Sequence, residues 1–183
     1  AGVVTGQLQQ YANERGLYYP VDFASAGSSQ MGGNIGTNAG GIKVIRYGMT
    51  RAWVLGLTVV TGKGDILRLN KGMAKNATGY DLRHLTIGAE GTLAVATAAQ
   101  IKLERKPREL RVLVLGTPNF DTIMQVLAAF QATLDLTAFE FFSELAVQKV
   151  IASGDVARPF EEATPFYALL EFEALSSAIE EQA

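Results

Sequence analysis

The most informative segment of the chain reads Gly32-Gly33-Asn34-Ile35-Gly36-Thr37-Asn38-Ala39-Gly40-Gly41. It lies in a longer tract, Ser25 to Gly41, in which glycine alternates with short residues and large side chains almost vanish. This composition predicts a loop whose backbone approaches another group closely.

Two familiar phosphate-binding patterns do not fit this segment. A P-loop needs lysine after the glycine at Gly41, but Ile42 follows. A Rossmann fingerprint needs Gly-x-Gly-x-x-Gly, and Met31 stands where that spacing requires glycine. What remains is a set of unhindered N–H groups and short polar side chains, which suits a polyphosphate and a flat heterocycle. The alternative is a glycine-rich loop packed against its own sheet, and glycine content alone favours that alternative.

The flanking segments predict antiparallel strands. Trp53 to Val60 is apolar, a turn follows, and Ile66 to Leu69 returns, as in a β-hairpin. Asp81 to Leu85 is compatible with one or two helical turns. Strict alternation from residue 93 to 104 predicts one long strand whose buried face carries Leu93, Val95, Thr97, Ala99, Ile101 and Leu103.

Lys106-Pro107-Arg108 is the predicted domain boundary, separating residues 1–106 from residues 107–183. Beyond it, helix and strand patterns alternate regularly. Strands are predicted at Leu110 to Leu115, Thr137 to Phe142 and Pro165 to Phe172. Asn119 and Ser143 are placed to begin helices.

Composition excludes several classes of site. The 183 residues are 48% hydrophobic, carry a net charge of −2, and include no cysteine and one histidine, His84. Disulfides, cysteine nucleophiles and His-based metal clusters within the chain are therefore excluded. The charge gives no footprint for nucleic acid or an anionic membrane. No apolar run approaches the roughly 20 residues that cross a bilayer, and we expect a cytoplasmic protein.

The two ends predict a piece of a longer polypeptide. The chain opens at Ala1 without an initiator methionine. Ser177 and Glu180 have the spacing of a capping box, but Ala183 ends the chain soon afterwards.

A series of ordered motifs resembles one flavoprotein family. Those motifs are Pro20-Val21-Asp22, Gly27-Ser28, Met31 to Gly41, Arg46-Tyr47-Gly48, Val54-Leu55-Gly56-Leu57, Asn76 to Leu82 and Ile87 to Leu93. In this order they resemble the FAD-linked 2-hydroxyacid dehydrogenases, flavoproteins of the vanillyl-alcohol-oxidase type that act on D-lactate, glycolate or D-2-hydroxyglutarate. The similarity runs from about Gly2 to Pro107 and weakens afterwards. Ala89 and Ala94 depart from it, since many relatives have Ser and Gly there.

The resemblance implies an α+β fold and a set of cofactor contacts. Residues 1–106 correspond to the second subdomain of a vanillyl-alcohol-oxidase-type FAD-binding domain, and residues 107–183 to the start of an α/β substrate (cap) domain. The implied FAD-binding residues are Pro20, Asp22, Phe23, Ala24, Ser25, Ala26, Gly27, Ser28, Gly32, Gly33, Asn34, Thr37, Asn38, Ala39, Gly40, Gly41, Tyr47, Glu90, Gly91, Thr92, Leu93, Ala94, Val95 and Ala96.

The implied activity is oxidation of a 2-hydroxyacid by hydride transfer to non-covalently bound FAD. The electrons would pass to a quinone, a cytochrome or an electron-transfer flavoprotein. Partner subunits could form an oligomer or hold the protein at a membrane surface. The family takes its base and metal ligands largely from elsewhere, so we assign no catalytic or metal-binding residue and expect this chain alone to be inactive. A non-catalytic α+β interaction module, and a related flavoprotein acting on sugars or alcohols, remain alternatives.

Several polar and aromatic residues have simpler structural interpretations. Tyr80-Asp81 fixes a turn, His84 lies at the surface or caps a short helix, and the Glu90 carboxylate bonds nearby backbone amides. Tyr47 either stacks near the cofactor or is buried and bonded to backbone. The aromatic residues of the second domain are expected in its core: Phe139, Phe141 and Phe142.

Overall fold

The computed structural model describes residues 1–154 and 156–174, and the predicted capping box at Ser177 lies outside them. The chain divides into two compact units, Ala1–Lys106 and Pro107–Ala183. Both units combine helices with antiparallel strands, which confirms the predicted α+β fold.

The first unit begins with helix α1 (Thr5–Asn13) and strand β1 (Leu17–Tyr18). Strand β1 pairs with the short strand β5 (Glu104–Arg105), which closes the unit. Thr5 does not cap the helix through its side chain, because Val4 is the N-cap and the Thr5 hydroxyl is buried against Ser29.

The glycine-rich segment is not a loop throughout, contrary to the prediction. Helix α2 spans Met31–Thr37 and ends at Asn38, whose φ of 50° is left-handed. The helix forms because Met31, Asn34 and Ile35 share one face and are buried. Burial of that face outweighs the low helix propensity of glycine.

A three-stranded antiparallel sheet forms the centre of the first unit, in the order β3-β2-β4. Strands β2 (Val54–Thr61) and β3 (Ile66–Leu69) form the predicted hairpin, which is confirmed by the pairing of Val60 with Ile66. Strand β4 (Ala94–Ile101) pairs with β2 on the other side.

Strand β4 contains a bulge that the alternation pattern did not predict. Thr58 pairs with Ala98 but Val59 pairs with Ala96, so Thr97 is an extra residue. The bulge reverses which side chains face inward. Ala94 and Ala96 therefore pack on the core beside Ala99, whereas Val95 is 63% exposed. The predicted burial of Leu93, Val95 and Thr97 was wrong for this reason.

Two apolar clusters hold this unit together. One joins α2 to the sheet through Ile35, Val54, Leu57, Val59, Leu69 and Ile87. The other consists of Tyr19, Val21, Met31 and Trp53. Short helical segments connect them: helix α3 (Val44–Tyr47), a 3₁₀ turn (Thr50–Trp53) and helix α4 (Arg83–Thr86).

The second unit follows the order β6 (Leu110–Thr117), α5 (Phe120–Gln131), β7 (Leu136–Ser143), α6 (Glu144–Ala152), β8 (Phe166–Glu173). Strand β8 lies between β6 and β7 and is antiparallel to both, so β6 and β7 are parallel. This is a split βαβ arrangement. The predicted N-caps are confirmed, since Asn119 accepts from Thr122 N and Ser143 accepts from Ala146 N.

Only part of the predicted aromatic core of the second unit is buried. Phe139 packs against the apolar cluster of Leu134, Leu136, Leu170 and Phe172. Phe142 stacks on the buried Tyr167 ring at a centroid distance of 5.2 Å. Phe141, however, is 53% exposed and contacts Phe120 edge to face.

Among the residues that the structure describes, no helix is long and apolar enough to span a bilayer.

Candidate functional site

A concave pocket of about 430 Å³ lies where α2 faces the start of β4. Its walls include eight of the residues predicted to bind a cofactor: Gly32, Gly33, Thr37, Glu90, Gly91, Ala94, Val95 and Ala96. The remaining wall residues are Ala1, Gly2, Gln30, Ile35, Gly36 and Thr86. The fold therefore brings the glycine-rich segment and the 90–96 segment to one site.

One wall of this pocket is a glycine face on helix α2. Gly33 and Gly36 are one helical turn apart. Among the described residues outside their own helix backbone, a Cβ at Gly33 would meet no atom within 4 Å, and one at Gly36 would meet only the Gly91 nitrogen, at 3.9 Å. Packing within the chain thus does not require glycine at either position, although each glycine costs a helix about 1 kcal/mol relative to alanine. This open, flat surface fits close approach by a planar group from outside the chain.

Gly32 differs from these two glycines. A Cβ there would lie 2.9 Å from the Ala1 Cβ, so contacts within the chain already explain it.

The wall that faces α2 is formed around residues 88–91, and backbone hydrogen bonds hold it against the end of that helix. Gly88 N donates to Ile35 O at 3.0 Å, and Glu90 N donates to Gly36 O at 2.9 Å. Glu90 and Gly91 both adopt positive φ, at 54° and 73°. The predicted bonding of the Glu90 carboxylate to backbone amides was wrong, because the side chain is exposed and makes no hydrogen bond to a backbone amide of the described residues.

The pocket combines apolar contact area with little charge. Ala94, Val95 and Ala96 supply the apolar side. Glu90 is the one titratable side chain that lines it. Such a lining suits a flat ring more than a catalytic acid–base pair.

The loop from Asp22 to Ser28 lies outside this pocket. It passes the start of α1, where Ala26 O accepts from Gly6 N at 2.8 Å. Ala24, Ser25, Gly27 and Ser28 are exposed there. Thr92 and Leu93 are also exposed and outside the pocket, beside Gly91.

The segment from Asn38 to Gly41 is held by the neighbouring 3₁₀ turn and by the Asp22 loop. Asn38 Oδ1 accepts from Arg51 N at 2.9 Å. Ala39 O accepts from the Thr50 hydroxyl at 2.7 Å. Gly41 crosses the backbone of Asp22 so closely that a Cβ would lie 1.7 Å from Asp22 O. Gly40 contacts Val44 and Met49 in the same way, with a Cβ 3.0 Å from the Val44 side chain.

Four predicted contact residues are wholly or partly buried within this unit. The Asn34 side chain is buried, and its amide nitrogen donates to Thr5 Oγ1 at 2.7 Å. This hydrogen bond uses the amide within the protein. Pro20 is fully buried. Phe23 and Tyr47 pack on the cluster around Trp53, whose indole N–H donates to Tyr47 O at 3.0 Å. Tyr47 is half-buried, and its stacking near the cofactor stays a prediction.

Burial also affects the phenols beside this cluster. It raises the pKa of Tyr18, and the neighbouring Lys43 ammonium offsets part of that rise. It raises the pKa of Tyr19 to about 12, against a smaller lowering by the Thr50 hydroxyl. Both phenols therefore stay neutral at physiological pH and serve the packing of this region.

Asp81 and His84 behave as predicted, whereas no contact among the described residues shows Tyr80 fixing the turn. Asp81 accepts hydrogen bonds from Arg83, and this contact lowers the pKa of the Asp81 carboxyl. His84 lies on α4 with about half of its side chain exposed. Tyr80 is almost fully exposed.

Sequence reasoning missed six residues that line the pocket: Ala1, Gly2, Gln30, Ile35, Gly36 and Thr86. The signal for Gly36 was available, because its spacing from Gly33 is that of one helical face. The prediction of a loop for this segment makes no use of that helical spacing. No group of three or more His, Asp or Glu side chains within residues 1–154 and 156–174 is placed to hold a metal ion.

Comparison with known proteins gives two family matches and several sequence relatives. Residues 1–70 match the family model described as FAD binding domain, and residues 106–183 match that of FAD linked oxidases, C-terminal domain. The D-2-hydroxyglutarate dehydrogenase of Stutzerimonas stutzeri (strain A1501) is 70% identical over 182 residues, which cover 100% of this chain and 39% of that protein. The glycolate oxidase subunit GlcD of Bacillus subtilis (strain 168) is 41% identical over 140 residues, covering 73% of this chain and 30% of that protein.

Among solved structures, an alkyldihydroxyacetonephosphate synthase aligns with a TM-score of 0.76 at 18% identity, covering 98% of this chain and 36% of that one. At this identity the likeness shows the fold alone. The chain spans about two fifths of the length of the first of these relatives. The two family matches and the sequence relatives confirm the predicted family and its cofactor, FAD. The chain belongs to the FAD-linked 2-hydroxyacid dehydrogenase family.

Proposed function

We propose that this chain forms one wall of the FAD site of an enzyme that oxidises a 2-hydroxyacid, with D-2-hydroxyglutarate as the first substrate to test. In this proposal residues 1–106 are the second subdomain of the FAD-binding domain and residues 107–183 begin the substrate domain. The open glycine face of α2 carries the proposal, because no contact within residues 1–154 and 156–174 accounts for Gly33 and Gly36.

The substrate assignment is supported by the relative of highest identity given above, which is named a D-2-hydroxyglutarate dehydrogenase. Glycolate and D-lactate remain the other members of the proposed substrate class. Bound FAD supplies the two-electron acceptor for oxidation of the hydroxyacid. The electron acceptor downstream, partner subunits and a cytoplasmic location belong to the same proposal.

The residues of this chain bind and shield the cofactor. The glycine face permits backbone contact with a flat ring, and Thr37 stands at its end with its hydroxyl donating to Gly33 O at 3.1 Å. Val95 projects into the pocket from β4 and covers the ring or its linker with apolar surface. We propose non-covalent binding, because the wall residues include no cysteine or histidine.

The test is an FAD titration of the intact protein after removal of its flavin, followed by quenching of flavin fluorescence. Val95→Glu introduces a carboxylate where an anionic dinucleotide would lie, and we expect at least a tenfold loss of affinity, or about 1.4 kcal/mol. Because Val95 is 63% exposed, the melting temperature of the flavin-free protein should stay within 2 °C or so, as for other surface substitutions.

Ile66→Glu is the matched control. Ile66 is also β-branched, is 68% exposed and lies in the same sheet, outside the pocket. It should leave FAD affinity unchanged. Equal affinity in both variants would place the cofactor elsewhere. If the wild-type protein binds no FAD, the non-catalytic interaction module becomes the better account.

A further inference from the structure

Arg51 joins three segments around the pocket without lining it. It lies in the 3₁₀ turn before β2. Its guanidinium donates to His84 O at 2.6 Å and to Ile87 O, and its backbone N–H donates to Asn38 Oδ1. The planar guanidinium, with its several fixed donors, suits such a bridge between carbonyl groups.

The His84 ring also contacts the guanidinium. Arg51 Nη1 lies 3.1 Å from His84 Nδ1. Since arginine only donates, Nδ1 is the acceptor in this contact. Nε2 faces Asp81 Oδ2 at 3.5 Å, and Arg83 holds that carboxylate.

The Ile87 carbonyl that Arg51 binds lies next to the pocket wall along the chain. Ile87 precedes Gly88, whose N–H bonds to the end of α2. Gly88 leaves room for the guanidinium, because a Cβ there would lie 3.1 Å from Arg51 Nη2. Glu90 and Gly91 follow in left-handed conformations, which for a residue other than glycine cost about 1 kcal/mol or more. Contacts on both sides therefore have to hold this segment in place.

We propose that Arg51 is a positioning residue for the cofactor: by holding the Ile87 and His84 carbonyls it sets the 87–91 wall against the glycine face of α2. The inference rests on the proposed FAD site. It predicts that affinity and flavin environment depend on a side chain that does not contact the pocket.

The test compares Arg51→Lys with wild type in the intact protein. A lysine keeps the charge but cannot bridge the two carbonyls and the imidazole in one plane. We expect at least a tenfold rise in the FAD Kd and weaker quenching of bound-flavin fluorescence at saturation. Added guanidinium ion should partly restore FAD binding by the Arg51→Ala variant. Arg15→Lys is the control, since Arg15 lies at the surface over the Tyr11 ring and should change neither readout.

A second pair of variants tests the imidazole contact. His84→Asn keeps an acceptor near the position of Nδ1, so its FAD Kd and flavin fluorescence should match those of wild type. His84→Leu should raise the Kd and weaken the quenching, as Arg51→Lys does. If Arg51→Lys only lowers the melting temperature and leaves Kd and flavin fluorescence unchanged, the role is merely structural and the proposal fails.

Hydrogen exchange separates this proposal from the proposed function. In the flavin-free protein, Arg51→Lys should speed exchange of the Gly88 and Glu90 amides at least tenfold relative to Arg15→Lys. Faster exchange in Arg51→Lys, together with no FAD binding by the wild-type protein, would refute the FAD site but support the bridge that Arg51 forms between the His84 and Ile87 carbonyls. Unchanged exchange would refute the bridge, whether or not FAD binds.

Discussion

Replacing Gly33 by alanine should separate stability from ligand binding. The substitution adds one methyl group to the open face of α2, where no atom of the described residues beyond its own turn of helix lies within 4 Å. Alanine is the better helix former by about 1 kcal/mol in a helix interior. Because Gly33 is the third residue of a seven-residue helix, we expect roughly half of that gain, about 0.5 kcal/mol.

The same methyl group should oppose cofactor binding. It occupies the surface on which we propose that a flat ring or its diphosphate rests, so the ligand must shift or lose contacts. We expect an FAD affinity at least tenfold lower, equivalent to about 1.4 kcal/mol. Stabilisation of the flavin-free protein together with weaker binding is a combination that damage to the fold cannot produce.

Two measurements decide this prediction: urea unfolding of the flavin-free protein, and FAD titration by fluorescence quenching. Gly62→Ala is the control, since Gly62 also has no atom within 4 Å of a Cβ but lies in the hairpin turn. Gly33→Ala with raised stability and unchanged affinity would refute our assignment of this face. Lowered stability would refute the helical geometry of α2.

Three further predictions concern the fold. Gly41→Ala should destabilise by several kcal/mol or prevent folding, because its Cβ would overlap Asp22 O and backbone must move; urea unfolding and expression of folded protein measure this. Asn119→Ala should lower the free energy of unfolding by about 1 kcal/mol through loss of the α5 N-cap, whereas Asn119→Asp should not. Arg158 lowers the pKa of Glu144 below its ordinary 4.5, so this contact stabilises the protein above that pH and is lost as pH falls below it. Melting temperatures from pH 6 to 3 should therefore fall less steeply in Glu144→Gln than in wild type.

Much of the fold could be predicted from local patterns. The hairpin at residues 54–69 and the caps at Asn119 and Ser143 depend on neighbours a few residues apart. Turn chemistry and side-chain caps act over that range, so the sequence alone carries the information. The family was predictable for a different reason, since its motifs occur in one order along the chain.

The composition of the pocket lay beyond local reasoning. Whether Met31 to Thr37 becomes a helix depends on Ile35 reaching a cluster formed by residues from 54 to 87, and glycine content pointed the other way. The bulge at Thr97 likewise arises from pairing with Thr58 and Val59, and a strictly alternating pattern contains no sign of it. Local patterns thus settle which segments are strands, turns and helix starts. The packing of distant segments settles which backbone faces remain open, because burial energy and strand register are properties of the assembled unit.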